Sequence, residues 1–106
     1  MDFMGMMKKA QAVQAKLQET QEELGRVEVR GASGGGMVTV TMTARGDLRG
    51  VAIDPSLLTP SDKEMLEDLI VAAFGDAKAK AEAAAAEKMQ ALAAGLPLPP
   101  GMKLPF

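Results

Sequence analysis

The 106 residues carry 14 acidic and 12 basic side chains, for a net charge of −2, with neither cysteine nor histidine. This excludes a disulfide framework, zinc ligation by nitrogen or sulfur and the usual imidazole base, and it argues against a generic, strongly basic nucleic-acid binder. The length predicts one domain, and an alanine-rich 47% hydrophobic content with three aromatic residues predicts a light core that favours a second chain.

The opening MDFMGMMKKAQ lacks the apolar core of a signal peptide. No stretch reaches the roughly 20 apolar residues that span a bilayer, so the expectation is a cytoplasmic protein without a membrane partner. From Phe3 onward, Phe3, Met6, Ala10, Val13, Leu17, Thr20 and Leu24 follow in steps of three and four. That is a coiled-coil-like seam on one long helix over residues 2–24, with Gly25 placed as its C′ residue.

The period then falls to two. Val27 and Val29 alternate with Arg26, Glu28 and Arg30 in a short strand. In MVTVTMTA, Val38, Val40, Met42 and Ala44 face one way and Thr39, Thr41 and Thr43 the other. LRGVAIDP supplies a third strand with Val51 and Ile53 inward, ended by Asp54-Pro55. The glycines of GASGGG (residues 31–36) suggest a phosphate loop, but such a loop opens a helix and closes with Gly-Lys-Ser/Thr. This one runs into a strand and reads as a hairpin connection. Arg45-Gly46-Asp47 likewise reads as a turn rather than an adhesion motif.

In PSDKE (residues 60–64), Ser61 and Glu64 form a capping box for the next helix. Its apolar stripe, Met65, Leu66, Leu69, Ile70, Ala73, Phe74 and Ala77, thins into AKAKAEAAAAEKMQALAA. Gly75 is a candidate break, and Gly95 and Pro97 are stops. Unbroken, this helix spans roughly 50 Å, too long for a compact globule, so an arm should project. The expected fold is α+β: a long N-terminal helix, a three-stranded antiparallel meander and a long C-terminal helix, with residues 1–95 as one domain. Residues 96–106 form a Pro-rich tail, either disordered or docked on a groove of its own dimer or of a partner.

If the two helices pack alongside each other, the start of the first and the end of the second share a distal end. Lys8, Lys9, Lys16, Lys78, Lys80 and Lys88 then face Asp2, Glu82 and Glu87, six positive against three negative, while acid collects near the sheet. Such lysines read either as a solvated face or as a modest grip on phosphate, which a dimer doubles. No aromatic residue interleaves with them for stacking, and no recognition helix is evident, so any binding is to duplex backbone. The acidic pairs Glu22/Glu23 and Glu67/Asp68 fall on outer helix faces, and Ser33 and Ser56 lack a base. The chain therefore reads as a non-enzyme with no catalytic residue, cofactor, metal or small-molecule substrate.

The Met- and Gln-rich first helix with Lys8 and Lys9 is followed by EELGRVEVRGASGGGMVTVT, VAIDPSLL, DKEMLEDLIVAAFGDA, EKMQAL and LPPGMKLPF. In this order the pieces resemble the YbaB/EbfC family of bacterial nucleoid-associated DNA-binding proteins over the full length. The resemblance implies a homodimer with helical arms held apart like tweezers, binding duplex DNA in the nucleoid and influencing nucleoid organisation or gene expression. The family's DNA-contacting arms map onto Lys8, Lys9 and Lys16 in the first helix and Lys78, Lys80 and Lys88 in the last. The chain departs from more basic members at AEAAAAE. The alternative is a protein-interaction adaptor that uses the helical seam, the Ala-rich groove or the Pro-rich tail instead of DNA.

Overall fold

A computed structural model describes residues 2–95; Met1 and the Pro-rich segment 96–106, with the expected stop at Pro97, lie outside the described residues. The chain runs α1 (Phe3–Leu24), β1 (Glu28–Ser33), β2 (Val38–Thr43), β3 (Leu48–Ile53) and α2 (Lys63–Gly95). Short 3₁₀ turns occupy Gly34–Gly36, Pro55–Leu57 and Pro60–Asp62. The strands form one antiparallel sheet in the order β1-β2-β3, the meander that the period-two runs predict.

The core lies where α2 crosses the sheet. Val38, Val40 and Met42 of β2 are buried with Leu57 and with Ala73, Ala77 and Ala81 of α2. Alanines face the sheet because the helix backbone itself comes close. A Cβ on Gly31 would collide with the Ala77 amide nitrogen and the Ala73 carbonyl oxygen, and would stand 2.7 Å from the Ala77 Cα. Gly31 is thus a strand residue opposite Val40, not a loop residue. The GASGGG segment is split: Gly31, Ala32 and Ser33 complete β1, and the reversal is made by Gly34, Gly35 and Gly36 at φ of 60°, 66° and 97°. Ser33 ties the strand end to the helix, its hydroxyl donating to the Leu69 carbonyl at 2.6 Å.

Several local expectations resolve differently. Gly25 caps α1 in right-handed conformation (φ −68°, ψ −14°). Its use is space, since a Cβ there would lie 3.3 Å from the Arg45 guanidinium carbon. Ser61 does not open α2; the helix starts at Lys63, after a turn in which the Thr59 hydroxyl donates to Asp62 Oδ2 at 2.9 Å. Gly75 does not break α2, because it faces open space while Ala73 and Ala77 on either side seat the helix on the sheet. Val51 and Ile53 do share a face with Val40 and Val38. Because α2 lies over β1 and β2, however, Val51 stays 44% exposed and Leu48 53%.

The two helices meet near the root of α1. Leu24 and Val27 line a shallow groove with Ala84, Lys88 and Ala91, and Lys88 Nζ lies 2.9 Å from Glu23 Oε2. At 1.5 Å per residue, α2 from Lys63 to Lys88 and α1 from Glu23 back to Phe3 together span about 68 Å. The molecule measures 71 × 22 × 16 Å, so the two runs lie nearly end to end. The N-terminal half of α1 consequently projects about 20 Å beyond the level of Gly95.

Candidate nucleic-acid interface

The seam of α1 passes from buried to bare along this arm. Leu24 and Thr20 are buried and Leu17 and Val13 half-buried, whereas Phe3 and Met6 are 72% and 58% exposed. The helix holds its form at the tip through Asp2, whose carboxylate accepts the Gly5 N–H at 3.1 Å. An Asp at the N-cap satisfies one of the helix's open donors. At the root, the buried Thr20 hydroxyl donates to the Lys16 carbonyl, and Arg45 Nη1 donates to the Gln21 carbonyl at 3.4 Å. The Arg45-Gly46-Asp47 turn is therefore a pin between the sheet and the carboxyl end of α1, stiffened by the Asp47 N–H donating to the Thr43 hydroxyl.

The six lysines do not share one tip. Lys8 and Lys9 stand exposed on the projecting half of α1, without an ion-pair partner among the described residues. Lys16 is lower on the same helix and lies 3.4 Å from Glu19. Lys78 sits beside the sheet, lining a groove with Met42, Arg45 and Phe74. Lys80 reaches the edge of β1, donating to the Arg30 carbonyl at 3.0 Å and pairing with Asp76 at 3.2 Å. Lys88 is held at the helix junction by Glu23. The expected common distal end for Lys78, Lys80 and Lys88 is corrected by the stagger of the helices: α2 spends its first five turns on the sheet, so these lysines fall beside it and at the root.

The carboxylates around these fixed lysines respond to them. Asp76 accepts the Ala32 N–H at 3.0 Å, and this bond first, then Lys80, holds its pKa below the ordinary Asp value. The hydrogen bond and the charge of Lys88 likewise hold Glu23 below the ordinary Glu value. Asp76 and Lys80 together cover an N–H and a C=O on the outer edge of β1, groups that would otherwise template another strand. Sequence reading missed this clamp, and Asp76 carries no local pattern that reveals it. The Asp2 cap was missed as well, with residue 2 counted in the helix, although an Asp just ahead of an apolar-periodic run is the local signal that finds one.

Among the described residues no group of acidic side chains is arranged to hold a metal ion, and no helix is long and apolar enough to cross a membrane. What the arm offers is a helix carrying Lys8, Lys9 and Lys16 from Phe3 to Gln18 with no carboxylate, a local surface suited to a polyanion.

Known proteins are similar to this chain over nearly its full length. A nucleoid-associated protein of Bradyrhizobium diazoefficiens is 60% identical over 101 residues, covering 95% of each chain. One from Brucella ovis is 57% identical over 105 residues, covering 99% of this chain and 98% of its own. The crystal structure of an uncharacterized Helicobacter pylori protein superposes with a TM-score of 0.69 at 29% identity, covering 88% of this chain and 94% of that one. The YbaB/EbfC DNA-binding family matches residues 1–96, and this chain belongs to that family.

Proposed function

We propose that the protein acts as a homodimer whose α1 arms hold the backbone of duplex DNA with little sequence readout, and that this binding shapes nucleoid organisation and gene expression. The observation that carries the reading is the projecting half of α1, with Lys8 and Lys9 exposed and no carboxylate between Phe3 and Gln18. Lys8 and Lys9 supply the main phosphate contacts and Lys16 shares its charge with Glu19, whereas Lys78 lines the groove beside Phe74 that borders the pairing face and contributes less. Lys80 and Lys88 contribute less, because each ammonium is already held within the chain.

Support for pairing comes from the half of the sheet that α2 leaves open. Leu48 and Val51 of β3 are exposed there, and Phe74, 40% exposed, borders the groove over Met42. With the β1 edge clamped by Asp76 and Lys80, the β3 side is the face left for a second copy. The pair brings two sets of arm lysines to one duplex, in the nucleoid and cytoplasm where such DNA lies.

Fluorescence anisotropy on a labelled duplex across a salt series tests the reading. Release of about 0.9 counterion per neutralised phosphate gives a log–log slope of roughly −3 to −6. Lys8→Glu with Lys9→Glu abolishes retention while the light-scattering mass of a dimer is unchanged. Unaltered binding in that variant moves the contact off the arms, and wild-type protein that ignores DNA at low salt refutes DNA binding.

A further inference from the structure

Four large apolar side chains stand bare at the arm tip: Phe3 is 72% exposed, Met4 68%, Met6 58% and Met7 49%. On a helix advancing about 100° per residue, the first two turns order around the axis as Lys9, Met6, Ala10, Phe3, Met7, Met4, Lys8. An apolar arc of about 160° is thus bordered by one lysine on each side. Gln11 and Gln14 enter the same side further along, so the apolar stretch is confined to the tip. A helix with side chains is about 10–12 Å across, and the major groove of B-DNA is about 12 Å wide. Long lysine stems carry their ammonium groups away from the apolar surface they border.

We propose that this arc seats in the major groove of duplex DNA, with Lys8 and Lys9 on the phosphates of the two rims and Phe3, Met4, Met6 and Met7 against thymine methyl groups on its floor. The proposal rests on the DNA reading above and adds what the apolar tip recognises. Charge favours DNA over a second arm as the occupant, because two tips that each present Lys8 and Lys9 repel. Asp2, the one acid at this end, is occupied in capping the helix. The first two turns of the arc carry no side chain able to read donors and acceptors on base edges. The thymine methyl is the one apolar feature the groove presents. The outcome is a preference for thymine-rich duplex that grows with the number of methyls covered, added to a phosphate grip that itself tolerates any sequence.

Two duplexes of identical thymine-rich sequence, one with deoxyuridine at every thymine, test this by anisotropy with the full chain at low salt. The thymine duplex binds more tightly, by about fourfold for each methyl buried. A variant carrying Phe3→Ala, Met4→Ala, Met6→Ala and Met7→Ala keeps the arm helical by circular dichroism, keeps the salt slope and binds both duplexes equally. Equal binding of both duplexes by the wild type overturns the proposal and leaves the phosphate grip standing. A variant that still discriminates overturns it too, as does one that binds DNA like wild type on both duplexes but no longer co-sediments with anionic phosphatidylglycerol vesicles. If the wild type binds neither duplex, it is the underlying DNA reading that fails.

Discussion

The contact most exposed to a single substitution is Gly31 under α2, and Gly31→Ala measures how firmly the helix is seated. The added methyl would gain about 0.8 kcal/mol by burial, but the atoms it meets are the Ala77 nitrogen and Cα and the Ala73 oxygen. These belong to the middle of a helix and cannot rotate aside. An ordinary contact is restored only if α2 lifts by about 1 Å, which forfeits a quarter to a half of the dispersion well for each facing atom pair. Those pairs join Ala73, Ala77 and Ala81 to Val38, Val40 and Met42, which is most of the buried core. The net cost is about 3 kcal/mol, at the upper end for overpacking, or a fall in Tm of about 12–24 °C for a domain of this size. Thermal unfolding at one fixed protein concentration reads it, since association shifts Tm by mass action. Gly75→Ala is the paired control: it lies on the same helix over open space and gains about 1 kcal/mol of helix propensity. If Gly31→Ala melts within a few degrees of wild type, the helix does not rest on the strand backbone and the account of the core is wrong.

Val51→Asp puts a charge on the open half of the sheet and converts a dimer to a monomer in light scattering; an unchanged dimer mass places the pairing surface elsewhere. Glu23 and Asp76 both have lowered pKa values, so their pairs add stability that is fully present above the unfolded carboxylate range and is lost as pH falls through the folded values. A Glu23→Gln/Asp76→Asn variant should melt below wild type at pH 7 and draw together with it as acid protonates the two carboxylates, whereas parallel Tm profiles refute the assignment. Asp76→Ala with Lys80→Ala bares the β1 edge, and concentration-dependent association beyond the wild-type state is expected in sedimentation velocity. Identical sedimentation over a hundredfold concentration range shows the clamp to be dispensable.

Element types were legible in the sequence because each has its own period: three-and-four steps from Phe3 to Leu24, strict alternation from Val38 to Thr43, and a long alanine run after Ala77. What was hidden depends on which elements touch. Gly31 looked like the start of a glycine loop because nothing nearby in the chain announces that Ala73 and Ala77 will lie on it. The lysines misled for the same reason. A charge count along two helices assumes that they end together, but their stagger is set by Leu24 and Val27 meeting Ala84 and Ala91, and by Glu23 meeting Lys88. These contacts are some sixty residues apart in sequence, and no local pattern encodes them. Lys8 and Lys9 were legible as candidates; Lys80 and Lys88 as structural cations were not.

That same stagger explains how a chain of net charge −2 can present a cationic surface. The next acid from Lys9 toward the root, Glu19, is ten residue steps along the helix, about 15 Å. The Debye length at physiological ionic strength is about 8 Å, so the acidic residues near the sheet are largely screened from a phosphate held at the tip. Net charge describes the molecule only at long range. At contact range the arm presents only its own residues. A lysine moved from the tip to the root, where Glu22, Glu23 and Glu19 crowd α1, would leave the total unchanged and remove the local cationic surface. On the proposed DNA reading, the projection of α1 is an electrostatic device as much as a steric one, holding Lys8 and Lys9 apart from the acids that would cancel them.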